Sequence, residues 1–325
     1  MSSTRRSGTD FTEISLSFEH HGISIGTVFD TKGTSHEVHG TRPLFYMLRR
    51  GSAPGTLDRA LLDQAEVEGV EFRFADKVSR AVGRSVIATG PRRADVIAAG
   101  YLFDTDLPEG AWLALGDRLA PKGYAYLLVH GGRGTLATCM FTGFKGQAAH
   151  MEATRRFFEG RLEFEMQNLR PFGGYGTVRL PRTALQGGHP VIGERAGFQD
   201  ALAGFGIRYA MRSGLLAAQS ILENTDYDRL WQRELGPALT RGLLNRFFMN
   251  HVPHGILDRG AANLAKGDAG ATLKQLYRPG ALSRIALPIL QRFQPRSLSG
   301  RACRKFRCVC IWCKCAARSA AQGAV

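Results

Sequence analysis

The segment 189–214 constrains the fold of this 325-residue chain more than any other. A short apolar strand ends at Gly193-Glu194, and a loop of small residues leads to Gly204-x-Gly206, where a helix begins. The predicted apolar side of that helix is Ile207, Ala210, Met211, Gly214, Ala218, Ile221 and Leu222. The N–H groups and positive dipole end of such a helix suit an electron-rich ligand, and a carboxylate suits a sugar hydroxyl. The pattern predicts a nucleotide-type cofactor site, although Gly-x-Gly also precedes helices where two backbones merely pack closely.

Composition and charge narrow the class of protein. The 325 residues, 44% of them hydrophobic, predict one or two packed domains. The sequence has neither an apolar run of about 18 residues nor an apolar N-terminal signal. The chain is therefore predicted to be cytoplasmic. Residues 269–325 carry eleven Lys or Arg and no acid, out of a net charge of +15. This basic end fits peripheral contact with the inner face of a membrane, nucleic acid, or a solvated face. A nucleic-acid partner is not predicted, because no helix-turn-helix or RNP-type motif is present.

Five of the six cysteines lie in a short C-terminal segment, and Cys139 lies alone in a strand-like run. Cys308, Cys310, Cys313 and Cys315 have the chemistry to hold zinc or an iron–sulfur cluster. Ligands spaced this densely rarely all reach one tetrahedral ion. A redox-sensitive tail and an inert tail therefore stay open as alternatives.

Hydrophobic periodicity predicts alternating strands and helices. Strands are expected at 24–29, 36–39, 70–74, 84–88, 94–100 and 173–181, helices at 56–65, 151–162, 227–250 and 271–292, and a hairpin from 123–129 and 135–141. Pro237 is expected to kink or split its helix. The predicted class is α/β, with a partial Rossmann-like cofactor domain (1–100 and 185–225) interleaved with an antiparallel domain (101–184). A helical C-terminal region (226–300) and the basic Cys-rich tail (301–325) follow.

The residues around the glycine motif carry a family resemblance. Gly193-Glu194-Arg195-Ala196-Gly197 with Gly204-x-Gly206-Ile207-Arg208-Tyr209-Ala210 resembles the second FAD-binding motif of the geranylgeranyl reductase-like flavoproteins, within the p-hydroxybenzoate hydroxylase-type group. The family residue is Asp where this chain has the longer Glu194. The resemblance implies FAD as the cofactor, with Glu194 at its ribityl or phosphate region. The implied cofactor-binding residues are Gly193, Glu194, Gly204, Phe205, Gly206, Ile207 and Arg50, with Arg49 as the alternative to Arg50.

The resemblance also implies an activity and marks two departures from the family. It implies an FAD-dependent oxidoreductase that reduces a double bond of, or hydroxylates, an apolar isoprenoid or polycyclic substrate in a pocket lined by Tyr124 and Tyr126. The family's N-terminal Gly-x-Gly-x-x-Gly fingerprint and its Asp-Gly motif do not occur, so the chain looks truncated and no pyridine-nucleotide site is predicted. A non-catalytic remnant whose basic tail binds a membrane, a metal or a partner is the alternative.

Overall fold

The computed structural model describes residues 17–92 and 94–278, and the structural statements below concern those residues. The strands are β1 (His20–Ile23), β2 (Ile25–Phe29), β3 (Ser35–His39), β4 (Phe45–Leu48), β5 (Val96–Asp104), β6 (Gly110–Ala114), β7 (Tyr124–His130), β8 (Arg133–Met140), β9 (Gln167–Gly176), β10 (Leu185–Gln186) and β11 (His189–Pro190). The helices are α1 (Leu57–Val67), α2 (Gln147–Leu162), α3 (Gly193–Ala196), α4 (Ile207–Leu222), α5 (Tyr227–Glu234), α6 (Gly236–His251), α7 (His254–Leu264) and α8 (Ala269–Leu276).

Seven strands form the main sheet, in the order β3-β2-β6-β7-β8-β5-β9. All of its neighbours are antiparallel except β2 and β6, which run parallel. Apolar residues alternate along β7, so Ala125, Leu127 and Val129 are fully buried on one face. That face belongs to the same core cluster as Met151 and Phe158 of α2. The core therefore lies between the sheet and this helix.

The predicted hairpin of β7 and β8 is confirmed. His130 pairs with Arg133 across a two-residue loop, in which Gly131 and Gly132 have φ of +57° and +70°. Two successive positive φ values define the tight turn whose twist matches that of the strands, and glycine adopts them without strain.

Two predicted strands are wrong. Residues 70–74 form no strand, and Val70 and Phe74 are 51% and 75% exposed, because no neighbouring strand pairs with them. Residues 84–88 contribute only Ile87, which makes an isolated parallel bridge to Val191. Alternation alone does not make a strand when no partner offers hydrogen bonds.

Two further boundaries differ from the prediction. The strand expected at 173–181 is β9, which ends at Gly176 because its partner β5 begins there, at Val96. Gly193 and Glu194, expected at a strand end, instead begin the single helical turn α3.

The buried face of α4 also differs from the predicted one. Its buried residues are Tyr209, Ser213, Leu216, Ala217 and Ser220. Leu222, placed on the apolar side by its side-chain type, is 80% exposed. Burial of the two serines is tolerated because each hydroxyl donates to a carbonyl of the preceding helical turn.

The C-terminal helices follow the prediction as far as the structure describes them. Pro237 lies in the first turn of α6 and separates it from α5, where its missing N–H costs nothing. The helix expected at 271–292 corresponds to α8 only in its first part. Its remainder, the basic tail and Cys308, Cys310, Cys313 and Cys315 lie outside the described residues.

The α/β class is confirmed, with a mixed and mainly antiparallel sheet and a C-terminal helical layer. The domain boundaries stay a prediction, and the main sheet takes strands from both sides of residue 100, since β2 and β3 extend it. None of the helices within 17–92 and 94–278 is long and apolar enough to cross a bilayer.

Candidate functional site

Residues 200–206, here called the cofactor loop after the role that the sequence predicts for them, lead into the start of α4. The N–H of Asp200 donates to Phe205 O and the N–H of Gly204 to Asp200 O, both at 2.9 Å. Gly204 has φ of +74°, a conformation that favours glycine. No side chain among the described residues caps the N-terminus of α4. A 16-residue helix thus begins with N–H groups that a ligand can take.

Glu194 and Gln199 converge beside this loop. Gln199 Nε2 donates to Gly204 O at 2.8 Å, which ties the side chain to the loop. A Cβ atom added to Gly176 would come within 2.5 Å of Gln199 Oε1 and 2.8 Å of Glu194 Oε1, so the two oxygens face one small region. Burial raises the pKa of Glu194, against the lowering effect of a hydrogen bond from the Thr177 N–H. The site therefore gathers acceptor oxygens in a partly desolvated place.

Three buried polar atoms of residues 194–206 have no hydrogen-bond partner among the described residues. They are Arg195 Nε, Gln199 Oε1 and Asp200 Oδ1. Leaving such an atom unpaired costs about 1–3 kcal/mol. Burial and the nearby charge of Arg92 lower the pKa of Arg195. An unpaired acceptor suits a hydroxyl-rich chain and a desolvated guanidinium suits a phosphate, so these residues fit a flavin nucleotide.

Gly193 serves the packing of α3 against α4. Its N–H donates to Ser213 Oγ at 2.9 Å, and a Cβ atom there would lie 3.2 Å from Ala210 Cβ. Gly193 also has φ of +56°. Its N–H is therefore engaged within the chain, and the role of Gly193 at the cofactor stays a prediction.

Phe205 and Ile207 lie where the sequence places them, at the start of α4. Phe205 is 58% exposed and stacks on Phe45 with ring centroids 6.3 Å apart. Ile207 packs beside the buried pair Leu57 and Ala60 of α1. The structure thus brings Glu194, Gly204, Phe205, Gly206 and Ile207 into one region of the fold.

Arg50 makes a different set of contacts. Its Nε and Nη2 atoms donate to the two carboxylate oxygens of Asp58, both at 2.7 Å. This pairing raises the pKa of Arg50 and lowers that of Asp58. The alternative, Arg49, pairs with Glu19 at 2.7 Å. Each arginine binds a carboxylate of its own chain, and a role at the cofactor stays a prediction for both.

Tyr124 contacts the cofactor loop, and Tyr126 lies beside Tyr124. The Tyr124 hydroxyl donates to Ala203 O, and the two rings are 6.2 Å apart. Burial raises the pKa of the neighbouring Cys139 to about 11, so its thiol is neutral. Tyr124 thus supports the loop from β7, and its predicted place in a substrate pocket stays a prediction.

Arg246 of α6 fastens the same loop, and the sequence reasoning missed it. Its Nε donates to Ala201 O at 2.8 Å, its Nη1 to Lys122 O at 2.6 Å, and its Nη2 to Leu202 O. Burial lowers its pKa to about 10, so the guanidinium is a cation at neutral pH. One sequence signal could have identified Arg246. It lies seven residues after Leu239, on the same inward face of α6.

Asp200 and Phe141 complete this fastening. Asp200 Oδ2 accepts the Ala203 N–H at 2.6 Å and the Tyr277 hydroxyl at 2.8 Å. The Arg246 guanidinium carbon lies 3.6 Å from the centre of the Phe141 ring, a cation–π contact. The conformation of the cofactor loop is therefore set by groups from β7, α6 and the end of α8.

Comparison with known proteins finds relatives that are named as reductases of the same lipid. A digeranylgeranylglycerophospholipid reductase of Methanosphaerula palustris is 28% identical, over 72% of this chain and 66% of the relative. A digeranylgeranylglycerophospholipid reductase 2 of Methanothermobacter thermautotrophicus is 26% identical, over 65% and 59%. These relatives agree with the resemblance to the geranylgeranyl reductase-like flavoproteins. No protein-family model matches it. The chain spans about two thirds of the length of these curated relatives, or less.

Two solved structures share the fold of this chain. A geranylgeranyl bacteriochlorophyll reductase-like protein from Thermoplasma acidophilum aligns with a TM-score of 0.60 at 17% identity, over 89% of this chain and 90% of that one. A flavin-dependent brominase aligns with a TM-score of 0.60 at 13% identity, over 88% of each chain. The resemblance expected from the motif at 193–214 is confirmed.

Proposed function

We propose that this chain is an FAD-dependent oxidoreductase that reduces a carbon–carbon double bond of an apolar isoprenoid substrate. The observation that carries the proposal is the convergence of Glu194, the unpaired acceptor of Gln199 and the uncapped start of α4 on one loop. The curated relatives are named as reductases of a lipid with geranylgeranyl chains, which supports the substrate class. Peripheral contact of the basic C-terminus with anionic lipid is part of the same proposal.

Each part of the cofactor would be bound by particular residues of the site. Glu194 and Gln199 Oε1 would accept hydrogen bonds from hydroxyls of the ribityl chain, and Arg195 would pair with a phosphate oxygen. The first N–H groups of α4 would stabilise negative charge at the pyrimidine edge of the flavin ring. The hydride chemistry would be that of the bound flavin. The protein would bind the cofactor, orient it and exclude water around it.

Flavin binding is the first test. The purified full chain, titrated with FAD and passed through gel filtration, is expected to keep absorption bands at about 370 and 450 nm. A protein that stays colourless after titration would contradict the proposal and favour the non-catalytic alternative.

Replacing Glu194 with glutamine is expected to weaken FAD binding about tenfold to a hundredfold. The substitution keeps the shape of the side chain but removes a charge-assisted hydrogen bond, which contributes about 1.5–3 kcal/mol. Fluorescence titration with FAD measures the effect. The matched control is Glu223→Gln, at the opposite end of α4, where the carboxylate accepts from Gln219 Nε2 at 3.0 Å. If the two variants bind FAD with equal affinity, Glu194 is not part of the FAD site.

The reaction is tested on the holoenzyme without oxygen. After chemical reduction, incubation with a lipid that carries geranylgeranyl chains is expected to add two hydrogen atoms at a double bond, measured by mass spectrometry. Addition of one oxygen atom in air, with no reduction of the double bond, would replace the reductase proposal with hydroxylation.

A further inference from the structure

Two imidazoles and a carboxylate meet at the end of β7 opposite to Tyr124, the residue of β7 that contacts the cofactor loop. They are His21 of β1, Glu109 just before β6, and His130 at the end of β7. His130 Nδ1 lies 3.0 Å from Glu109 Oε1, and His21 Nε2 lies 3.9 Å from Glu109 Oε2. One ligand atom from each residue lies within 4.8 Å of the other two. Three separate segments of the chain thus present metal-ligating atoms to one point.

The backbone holds this cluster in place. The Gly131 N–H, in the tight turn after β7, donates to Glu109 Oε1 at 3.1 Å. The rings of His21 and His130 stack with centroids 4.1 Å apart and planes at 22°. A carboxylate oriented by a backbone donor is the kind of outer support that metal ligands commonly have.

The types of ligand atom indicate which metal ion would bind. Two imidazole nitrogens and one carboxylate oxygen match the three protein ligands of zinc sites that keep a fourth position for water. Zinc accepts such ligands at about 2.0–2.2 Å, which puts them roughly 3.3 Å apart in a tetrahedron. The three side chains are 38–51% exposed, so small rotations reach that spacing and solvent gives the ion access.

We propose that His21, Glu109 and His130 form a zinc-binding site. It would join the two-stranded sheet of β1 and β4 to the β6–β7 part of the main sheet, two sheets that share no strand pairing. The site is separate from the proposed flavin site: His130 and Tyr124 end the same seven-residue strand, about 20 Å apart. Its failure would therefore leave the flavin proposal intact.

The experiment uses the untagged full chain, stripped with EDTA, with its accessible thiols alkylated so that the Cys-rich tail does not bind the metal. Calorimetric titration with zinc chloride is expected to give one site per chain. His130→Ala and His21→Ala are expected to lose that site, and Glu109→Gln to weaken it roughly tenfold or more. Zinc is expected to raise the melting temperature of the wild type but not of the alanine variants.

The matched control is His39→Ala. His39 Nε2 lies 2.7 Å from Glu37 Oε1, an exposed histidine–glutamate pair that belongs to no three-ligand cluster among the described residues. This variant is expected to titrate like the wild type. Absence of a stoichiometric site in the alkylated wild type, or unchanged binding in His130→Ala, would overturn the proposal. If a histidine variant loses its circular-dichroism spectrum, the isosteric Glu109→Gln variant decides.

Discussion

Replacing Arg246 with methionine is expected to lower the free energy of unfolding by about 3–5 kcal/mol, because the change leaves buried carbonyls without a donor. The guanidinium donates hydrogen bonds to the carbonyl oxygens of Lys122, Ala201 and Leu202. It also makes a cation–π contact with the Phe141 ring. Methionine fills most of the volume, so the loss comes from the polar contacts and not from a cavity. Urea unfolding followed by circular dichroism measures it.

Arg241→Met is the matched control for this prediction. Arg241 lies on the same helix, and its Nε donates to one carbonyl, Leu276 O, at 2.7 Å in an exposed position. The expected change is within about 1 kcal/mol. Because Arg246 also holds the cofactor loop, its variant is expected to bind FAD more weakly even under conditions where it is folded. Equal destabilisation by the two substitutions would refute the importance assigned to Arg246.

Gly123→Ala is expected to destabilise the fold by about 3 kcal/mol through overpacking. A Cβ atom on Gly123 would overlap the carbonyl oxygen of Cys139, which belongs to the neighbouring strand β8. Relief of that overlap requires β7 to move away from β8 where Tyr124 pairs with Cys139. Thermal unfolding checks the prediction.

The control for Gly123→Ala is Gly174→Ala in β9. No atom lies within 4 Å of a Cβ added to Gly174, and this glycine does not have the positive φ that would strain alanine. Alanine there is expected to be neutral or slightly stabilising, because it restricts the unfolded chain. A destabilisation comparable to that of Gly123→Ala would contradict the assignment of the effect to overlap with β8.

Local patterns in the sequence predict the elements that depend on local contacts. The β7–β8 hairpin follows from alternating apolar residues around glycines, and the start of α4 follows from Gly204-x-Gly206. The same patterns fail at 70–74, where a strand needs a partner that only the folded chain reveals. They also misplace the buried face of α4, because packing against other helices selects that face.

Some residues of the candidate site can be predicted from the sequence, and others cannot. Glu194 and the glycines lie within a short motif, so their grouping is visible in the sequence. Gln199 matters because Gly176 lets its side chain approach Glu194, and Arg246 matters because it reaches Lys122, which is 124 residues away in the chain. Contacts between residues so far apart have no periodic signal that a single sequence displays.

The hydrogen bonds that Arg246 donates to the cofactor loop set an order for biosynthesis. Residues 200–206 leave the ribosome before α6 does, so the loop initially lacks its donors from that helix. The same holds for the Tyr277 hydroxyl that reaches Asp200. The nascent chain is therefore expected to become competent to retain a cofactor only after these C-terminal helices have been translated and have docked.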